Sequence, residues 1–278
     1  MDVSSSTLYG CVSNRRFTMR DLQAATNRGE RWAMITAYDA LTAGIFETAG
    51  IPAILVGDSA ASVVFGHTTT LPVTVDELLP LVQGVVRGTH QALVIADMPF
   101  GSYQASPAQA LETAARFMKE GGAHAVKLEG GAAVLPQIEL LANAGIPVIG
   151  HLGLTPQSVN LFGGYRVQGR GEQGELLMQD AKAMESAGAA GLVLEVVPSS
   201  LATKVSEILT IPTIGIGAGA STDAQVIVWQ DLLGLTPDPA PKFVRRYADL
   251  RTVMSDAVRA WANDVCSGEY PAEEHSYS

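Results

Sequence analysis

Six ionisable side chains interrupt apolar stretches of this chain, each at or near the end of a short β-branched run. They are Asp58, Asp97, Lys127, Glu129, His151 and Glu195. Two or three carboxylates, together with water and substrate oxygens, form a ligand set that suits Mg²⁺, whereas Zn²⁺ prefers more histidine and cysteine. A carboxylate left off the metal in an apolar run, such as Glu195 in "LVLEVV", suits a general base. The residue types therefore predict Mg²⁺-dependent acid–base chemistry.

The stretch "AVKLEGG", residues 125–131, carries two of these charges in one strand-like run. Strand side chains alternate between faces, so Lys127 and Glu129 share one face while Val126 and Leu128 share the other. A structural ion pair would explain one such pair, since buried charges are usually paired. The rest of the chain must decide between that interpretation and a functional one.

The pattern around these residues predicts the elements that position them. Alanine-rich helical stretches end in a small or glycine residue and lead into a β-branched run, as in "ANAGIPVIGHLG" (142–153). Alternating helices and strands of this kind form βαβ units and a parallel sheet. The predicted strands are 32–38, 53–58, 92–99, 125–130, 147–153, 191–197, 212–219 and 225–231.

Eight strands in roughly 200 residues fit an α/β fold of the (β/α)8 TIM barrel type. We predict a polar N-terminal arm, 1–16, and a single catalytic barrel domain, 17–278, with a helix before strand one. An open, doubly wound sheet is the alternative. The predicted helices are 76–90, 106–121, 132–144, 173–187, 199–209 and 241–266, and the seventh barrel helix is missing or vestigial because strands seven and eight lie so close together.

In a parallel barrel the C-terminal ends of all strands converge on one face, where barrel active sites are built. Taken singly, Asp58 and Asp97 could cap turns and His151 could be a core histidine. Six ionisable groups on one face exceed what a single stabilising pair needs, which favours a site. Such a site could enolise a small oxoacid, because Mg²⁺ bound to a 2-oxo acid polarises the ketone. The long loops 59–75 and 154–172 are predicted binding loops.

The overall composition excludes several classes of function. The net charge of −10 argues against nucleic-acid binding, which needs a basic face. No apolar run approaches the ~20 residues of a membrane span. Cys11 and Cys266 form no metal-ligand spacing and indicate a reduced, cytoplasmic setting. Only 17% of residues are charged, which predicts an oligomer that buries surface between subunits.

One motif competes with this interpretation. "GIGAGA", residues 215–220, satisfies G-x-G-x-x-[GA] after a predicted strand and could be a dinucleotide fingerprint. That fingerprint requires a full helix next, but "STDAQVIVW" returns to a strand pattern. Small residues here let a ligand or backbone approach the barrel mouth closely.

Several blocks resemble the ketopantoate hydroxymethyltransferase family from about residue 17 to the end of the chain. They are "MITAYDALTAGIFETAGI", "LVGDS", "IADMPFGSY", "VKLEGG", "GHLGLTPQSVNLFGGYRVQGRG", "IGIGAG" and "YPAEEHSYS". The resemblance implies transfer of a one-carbon unit from 5,10-methylenetetrahydrofolate to 2-oxoisovalerate (3-methyl-2-oxobutanoate), through a Mg²⁺-stabilised enolate, in pantothenate biosynthesis. It also implies a homodecamer, built as a pentamer of dimers.

The resemblance also implies roles for individual residues. Asp58 and Asp97 would hold Mg²⁺, with Glu129 as a further ligand. Ser59 would contact the oxoacid together with Asp58 and Asp97. Lys127 would bind the carboxylate side of the substrate, and His151 would line the site. Glu195 would be the base that removes the C3 proton. Thr68 in "GHTTTLP" departs from the family, which usually has aspartate there.

Two alternatives remain open at this point. One is a relative of phosphoenolpyruvate mutase and isocitrate lyase, which share the metal–enolate strategy; those lyases typically carry a catalytic cysteine in a mobile loop, and neither cysteine of this chain lies in one. The other is a non-catalytic barrel retained for assembly. Deuterium exchange at C3 of 2-oxoisovalerate, with and without Mg²⁺, distinguishes them.

Overall fold

Eight parallel strands form a closed barrel in the computed structural model, which describes residues 7–8 and 15–277. Strands that follow one another in sequence are hydrogen-bonded neighbours, and β1 pairs with β8 to close the barrel. The strands are β1 Trp32–Thr36, β2 Ala53–Val56, β3 Leu93–Asp97, β4 Ala125–Glu129, β5 Val148–Gly153, β6 Gly191–Glu195, β7 Thr213–Ile216 and β8 Ala224–Ile227. The predicted (β/α)8 barrel is confirmed, and the open sheet is excluded.

Helices lie before, between and after the strands. They are α1 Met19–Asn27, α2 Ala40–Thr48, α3 Ala60–Val63, α4 Val75–Arg87, α5 Pro107–Lys119, α6 Leu135–Asn143, α7 Val159–Phe162, α8 Glu172–Ser186, α9 Ser199–Ile208, α10 Trp229–Leu232 and α11 Leu250–Ser267. Short 3₁₀ turns lie at Ala132–Val134, Pro156–Ser158 and Glu273–His275. The predicted helix before strand one is α1, and no helix lies between β7 and β8, as predicted.

The largest differences from the predicted bounds lie in the last strand and the last helix. The eighth strand ends at Ile227, which pairs with Ile35 near the end of β1, and the chain then turns into α10. The last helix begins at Leu250 instead of residue 241. The backbone N–H of Tyr247 donates to the carbonyl of Leu232, so this part of the chain pairs with α10 and cannot form helical hydrogen bonds of its own.

The β7–β8 connection shows whether "GIGAGA" can be a dinucleotide fingerprint. Residues 217–223 hold no helix, and the chain enters β8 at Ala224. A dinucleotide fingerprint needs a helix N-terminus to receive the pyrophosphate. "GIGAGA" is therefore not such a fingerprint.

One face of the strands changes from apolar to ionisable along their length. Buried apolar side chains near the strand starts pack in one cluster that includes Leu93, Ile95, Ala125, Ile149 and Val193. Strand residues two apart point to the same face. Two positions further along this face stand Asp97, Lys127, His151 and Glu195. The alternation therefore carries the ionisable groups into the barrel above an apolar layer.

The N-terminal helix closes the lower end of this apolar layer. Leu22 and Ala25 of α1 are fully buried and belong to the same cluster, together with Trp32 at the start of β1. The helix starts at a capping arrangement in which the Thr18 backbone N–H donates to the Asp21 carboxylate at 2.8 Å. α1 thus gives the barrel an apolar floor.

The chain divides into two compact units, one ending at Val228 and one beginning at Trp229. The first holds the barrel; the second holds α10, α11 and the last 3₁₀ turn. The predicted limits of the arm, 1–16, and of the barrel domain, 17–278, stay predictions, and most of the arm, with Cys11, lies outside the described residues. Across the described chain, no helix has both the length and the apolar character needed to cross a membrane.

Gly153, the last residue of β5, provides a test of how closely the strand ends are packed. It pairs with Glu195, has φ of +95°, and an added Cβ would overlap the carbonyl oxygen of Glu195. We expect Gly153→Ala to lower the free energy of unfolding by about 1–3 kcal/mol more than a control glycine-to-alanine substitution that introduces backbone strain without steric overlap. Urea titration measures this difference.

The matched control is Gly145→Ala. Gly145 has φ of +83°, and an added Cβ there meets no atom within 4 Å. Both substitutions force alanine into the left-handed region, but only the one in β5 adds steric overlap. Equal losses in the two variants would contradict close packing at the end of β5.

Candidate active site

The barrel register brings all six predicted ionisable residues to one end of the strands. Asp97 is paired with Lys127 across β3 and β4, and Glu129 with His151 across β4 and β5. In β6, Glu195 lies opposite Gly153. Asp58 follows β2 by two residues. The predicted convergence of the strand ends is therefore what the structure shows.

Lys127 lies at the centre of the buried charges. Its Nζ donates to both oxygens of Asp97, at 2.8 and 2.9 Å, and lies 3.6 Å from Oε1 of Glu129. The backbone N–H of Asp58 donates to Asp97 Oδ2 at 3.1 Å. The Lys127 ammonium thus contacts carboxylates on two strands, β3 and β4. The backbone hydrogen bond to Asp97 holds the third carboxylate residue, Asp58, beside them.

His151 continues this chain of contacts towards Glu195. Its Nδ1 lies 3.3 Å from Glu129 Oε1, and its Nε2 lies 3.3 Å from Glu195 Oε2. Neither nitrogen makes a well-directed hydrogen bond, so these are ion-pair contacts. The Glu195 side chain is 17% exposed and that of Glu129 only 3%. Of these two carboxylates, Glu195 is the one that a substrate can reach.

The buried carboxylates repel one another. Burial, followed by the charges of Asp97 and Glu129, raises the pKa of Asp58 well above its ordinary value. Burial also raises the pKa of Asp97, although Lys127 opposes the shift. Glu129 differs, because Lys127 and His151 outweigh the effect of burial and lower its pKa. Burial and the neighbouring charges thus disfavour ionisation of Asp58 and Asp97. The four carboxyl groups of the site also outnumber its two cationic side chains, Lys127 and His151.

The cations shift in the opposite sense. Burial alone would lower the pKa of Lys127, but Asp97, Glu129 and Asp58 raise it above its ordinary value. Burial and Lys127 lower the pKa of His151, yet contacts with Glu129 and Glu195 raise it to about 9. At neutral pH both side chains are therefore protonated.

These observations fit a divalent cation held by oxygen ligands. Glu129 Oε1 is buried and accepts no hydrogen bond from any described residue. Asp58, Asp97 and Glu129 offer only oxygen donors, which suits Mg²⁺. Among the residues that the structure describes, however, no three His, Cys, Asp or Glu side chains are already arranged to hold a metal ion. The ligand roles of these three carboxylates thus stay predictions.

Two predicted positions in the 59–75 loop have different surroundings. Ser59 lies directly after Asp58, and its Oγ is 2.8 Å from the Tyr38 hydroxyl. Burial raises the pKa of Tyr38 although its hydrogen bond with Ser59 lowers it, so this phenol stays protonated. Thr68 is exposed and lies in a bend. The departure at Thr68 therefore affects the loop surface.

Tyr165 of the 154–172 loop is influenced by the charges of the site. Tyr165 is largely exposed, yet burial and the charges of Glu195, Asp58 and Glu129 raise its pKa. Arg166 and Arg170 are exposed on the same loop. The ligand-binding role predicted for the 154–172 loop stays a prediction.

The backbone beside Glu195 is strained. Val196 has φ of +48°, which is rare for a β-branched residue. Its N–H donates to the carbonyl of Ile216 at 2.8 Å, and its carbonyl accepts from Gln168 N–H at 3.0 Å. Such conformations persist where the surroundings hold them, and they concentrate at functional sites. The strand end that carries Glu195 is held from two sides.

Sequence reasoning did not single out Gln157 or Tyr103, which touch the carboxylates and their backbone. Gln157 Nε2 donates to Asp58 Oδ2 at 2.9 Å, and the Tyr103 hydroxyl accepts from the Glu129 backbone N–H at 3.0 Å. Both residues are almost fully buried. Their signal was a polar residue shortly after a strand end, in "LTPQS" and "FGSY", but neither carries a charge.

The ketopantoate hydroxymethyltransferase family model matches residues 16–273 of this chain. The chain belongs to this family. A Frankia casuarinae protein named 3-methyl-2-oxobutanoate hydroxymethyltransferase is 64% identical over 262 residues, covering 94% of this chain and 88% of the relative. A Thermobifida fusca protein of the same name is 61% identical over 272 residues, covering 98% and 97%. The resemblance seen in the sequence is confirmed.

Solved structures of other enzymes share the fold of this ketopantoate hydroxymethyltransferase family member. Phosphonopyruvate hydrolase, in complex with oxalate and Mg²⁺, superimposes with a TM-score of 0.61 at 13% identity, covering 93% of each chain. A 2,3-dimethylmalate lyase of the phosphoenolpyruvate mutase/isocitrate lyase superfamily gives 0.58 at 15% identity, covering 93% of this chain and 91% of the lyase. At this identity the likeness concerns the barrel alone.

The central ion pair can be tested through stability. Lys127 and Asp97 are 5% and 2% exposed, and removing one partner of a buried pair leaves the other charge uncompensated. We expect Lys127→Met to lower the free energy of unfolding by about 3–5 kcal/mol in metal-free buffer. Chemical denaturation measures the loss.

Two further variants make the result specific. Lys127→Met combined with Asp97→Asn removes both charges and should recover part of the loss. Lys182→Met removes an ammonium that is 50% exposed beside Glu185 and should change stability by about 0–1 kcal/mol. The central role of Lys127 would be refuted by a single variant as stable as the surface control.

Proposed function

We propose that this chain transfers a hydroxymethyl group from 5,10-methylenetetrahydrofolate to 3-methyl-2-oxobutanoate and so forms ketopantoate. The observation that carries this proposal is the unbroken series of contacts from Asp58 through Asp97, Lys127, Glu129 and His151 to Glu195. The series combines groups that can bind an anionic oxoacid with one more accessible carboxylate. The names of the relatives supply the substrate and the product.

The substrate-binding part of the proposal rests on Lys127 and its neighbours. The protonated Lys127 ammonium would attract the carboxylate side of the oxoacid. Ser59 would contact the oxoacid with Asp58 and Asp97, because its hydroxyl follows Asp58 directly and is oriented by Tyr38. Burial of these groups strengthens their interactions with a bound anion, since the local dielectric is low.

The proton-transfer part rests on Glu195. Glu195 would take the proton from C3, and the electron pair of that C–H bond would form the enolate. In the net reaction, C3 would bond to the methylene carbon of the folate, both C–N bonds of that carbon would break, and water would supply the hydroxyl group. The remaining water proton and the C3 proton taken by Glu195 would pass to the two folate nitrogens, and tetrahydrofolate would leave. His151 would orient the Glu195 carboxylate from the buried side through its 3.3 Å contact.

The proposed cofactor is Mg²⁺, held by Asp58, Asp97 and Glu129. When bound, the cation would polarise the ketone and stabilise the negative charge that develops on its oxygen. The excess negative charge of the buried carboxylates supports this assignment. Lys127 and the cation would divide the neutralisation of these groups between them.

Assembly, location and pathway belong to the same proposal. A homodecamer, built as a pentamer of dimers, would bury apolar side chains that α11 leaves exposed in one copy. These are Val253, Met254, Val258, Trp261 and Val265. A cytoplasmic place in pantothenate biosynthesis also stays a prediction.

The reaction itself provides the direct test. Purified protein is incubated with 3-methyl-2-oxobutanoate and 5,10-methylenetetrahydrofolate, with and without Mg²⁺, and ketopantoate is measured by mass spectrometry. We expect product only when both substrates and Mg²⁺ are present, and no product from Asp97→Ala. Absence of product from the unmodified protein would contradict the transferase, and product in chelator-treated samples would contradict the cofactor.

Glu195→Gln separates proton abstraction from binding. The substitution keeps the size of the side chain but cannot accept the C3 proton, and loss of a general base typically costs ~10²–10⁴ in rate. We expect deuterium exchange at C3 to fall by that factor, while calorimetric binding of the oxoacid with Mg²⁺ stays near that of the unmodified protein. Glu207→Gln, on the exposed face of α9, is the control and should leave both measurements unchanged. Persistent exchange in Glu195→Gln would show that another group is the base.

A further inference from the structure

Gln157 is a buried neutral side chain that reaches three strand ends of the barrel. It lies in the 3₁₀ turn after β5 and is 5% exposed. Its Nε2 donates to Asp58 Oδ2 at 2.9 Å and to the carbonyl of Met98 at 3.0 Å. Its backbone N–H donates to Glu129 Oε2 at 3.0 Å. A residue of the β5 loop thus connects the ends of β2, β3 and β4.

The orientation of the Gln157 carboxamide is determined by its partners. Nε2 faces two acceptors, while Oε1 accepts from the Tyr103 hydroxyl at 2.8 Å and from Gln104 Nε2 at 3.1 Å. A flipped amide would place its oxygen against the Asp58 carboxylate, which is electrostatically unfavourable. The backbone bond to Glu129 fixes the position from which the side chain extends. The donor facing Asp58 is therefore held in place.

This arrangement distinguishes the two oxygens of Asp58. The Gln157 amide donates to Oδ2 and so fixes which oxygen of this carboxylate faces the β5 loop. In Glu129, Oε2 accepts from the Gln157 backbone N–H, whereas Oε1 makes ion-pair contacts with Lys127 and His151. Gln157 thereby engages one oxygen of each carboxylate. A neutral donor achieves this without adding a charge to a site that already has an excess of negative charge.

We propose that Gln157 is a positioning residue that orients Asp58 for binding of the divalent cation. It touches neither the oxoacid nor the reacting carbon in this assignment; it acts through the Asp58 carboxylate. Partners that orient metal ligands typically contribute a factor of 10–100 to metal affinity. The inference rests on the cation requirement of the proposed function, but it concerns binding of the cation and not turnover.

The test measures Mg²⁺ binding to the free protein by isothermal titration calorimetry, without either substrate. Gln157→Met keeps the volume and the backbone N–H but removes the donor to Asp58. We expect the Kd for Mg²⁺ to rise by a factor of about 10–100. In the presence of substrates, kcat should recover at saturating Mg²⁺, because Glu195 and Lys127 are untouched.

The matched control is Gln137→Met. Gln137 is also buried, at 4% exposure, and its Nε2 donates to the Tyr103 carbonyl at 3.3 Å, but it contacts no carboxylate of the site. We expect Gln137→Met to bind Mg²⁺ like the unmodified protein. If Gln157→Met does not fold, Gln157→Asn replaces it, because the shorter amide cannot reach Asp58 and should also weaken Mg²⁺ binding.

The possible outcomes separate this inference from the proposed function. An unchanged Kd in the folded Gln157 variant, or an equal rise in the Gln137 control, would overturn it. So would failure of the unmodified protein to bind Mg²⁺, whatever its transferase activity. Weaker Mg²⁺ binding by the Gln157 variant in a protein that forms no ketopantoate would support the positioning role while refuting the transferase.

Discussion

The arrangement of the site depends on one buried ammonium. Lys127 enters the barrel interior and lies against Asp97, with Glu129 nearby, so it is the cation that makes burial of these carboxylates tolerable. Removing charges from water is costly, and only close, well-directed contacts offset that cost. Burial, with the charges of neighbouring carboxylates, nevertheless keeps the pKa values of Asp58 and Asp97 raised. The carboxyl groups of the site also outnumber its cations, Lys127 and His151. The imbalance makes the site receptive to a further cation.

The barrel makes this concentration of charge possible because its register is fixed over many hydrogen bonds. A shift of one residue would send every interior side chain to the outer face. The apolar layer below is closed by Leu22 of α1, while the loop after β5 contacts the carboxylates above it through Gln157. The stability of this apolar layer thus offsets the backbone strain at Val196 and the cost of burying ionisable groups at the strand ends.

Much of this organisation could be predicted from the sequence, because charged residues inside apolar runs are a strong local signal. Asp97, Lys127 and Glu195 stood out for that reason, and the strand count gave their common end. Gln157 did not, since a neutral amide in a polar loop resembles any turn residue until its partners are known. The positive φ of Val196 and the start of α11 depend on hydrogen bonds to distant residues, which local patterns do not contain.

The distribution of exposure within the site explains why its carboxylates can have different roles. Glu129 is enclosed by Lys127, His151 and the Gln157 backbone, so its remaining oxygen can serve only a small ion. Glu195 has one partner on its buried side, His151, and keeps access from the mouth of the barrel. The same imidazole contacts both residues, and it therefore sets the distance between the proposed ligand and the proposed base. A cation bound at Glu129 would therefore also affect Glu195 through His151. Cation binding and proton transfer thus depend on the same imidazole.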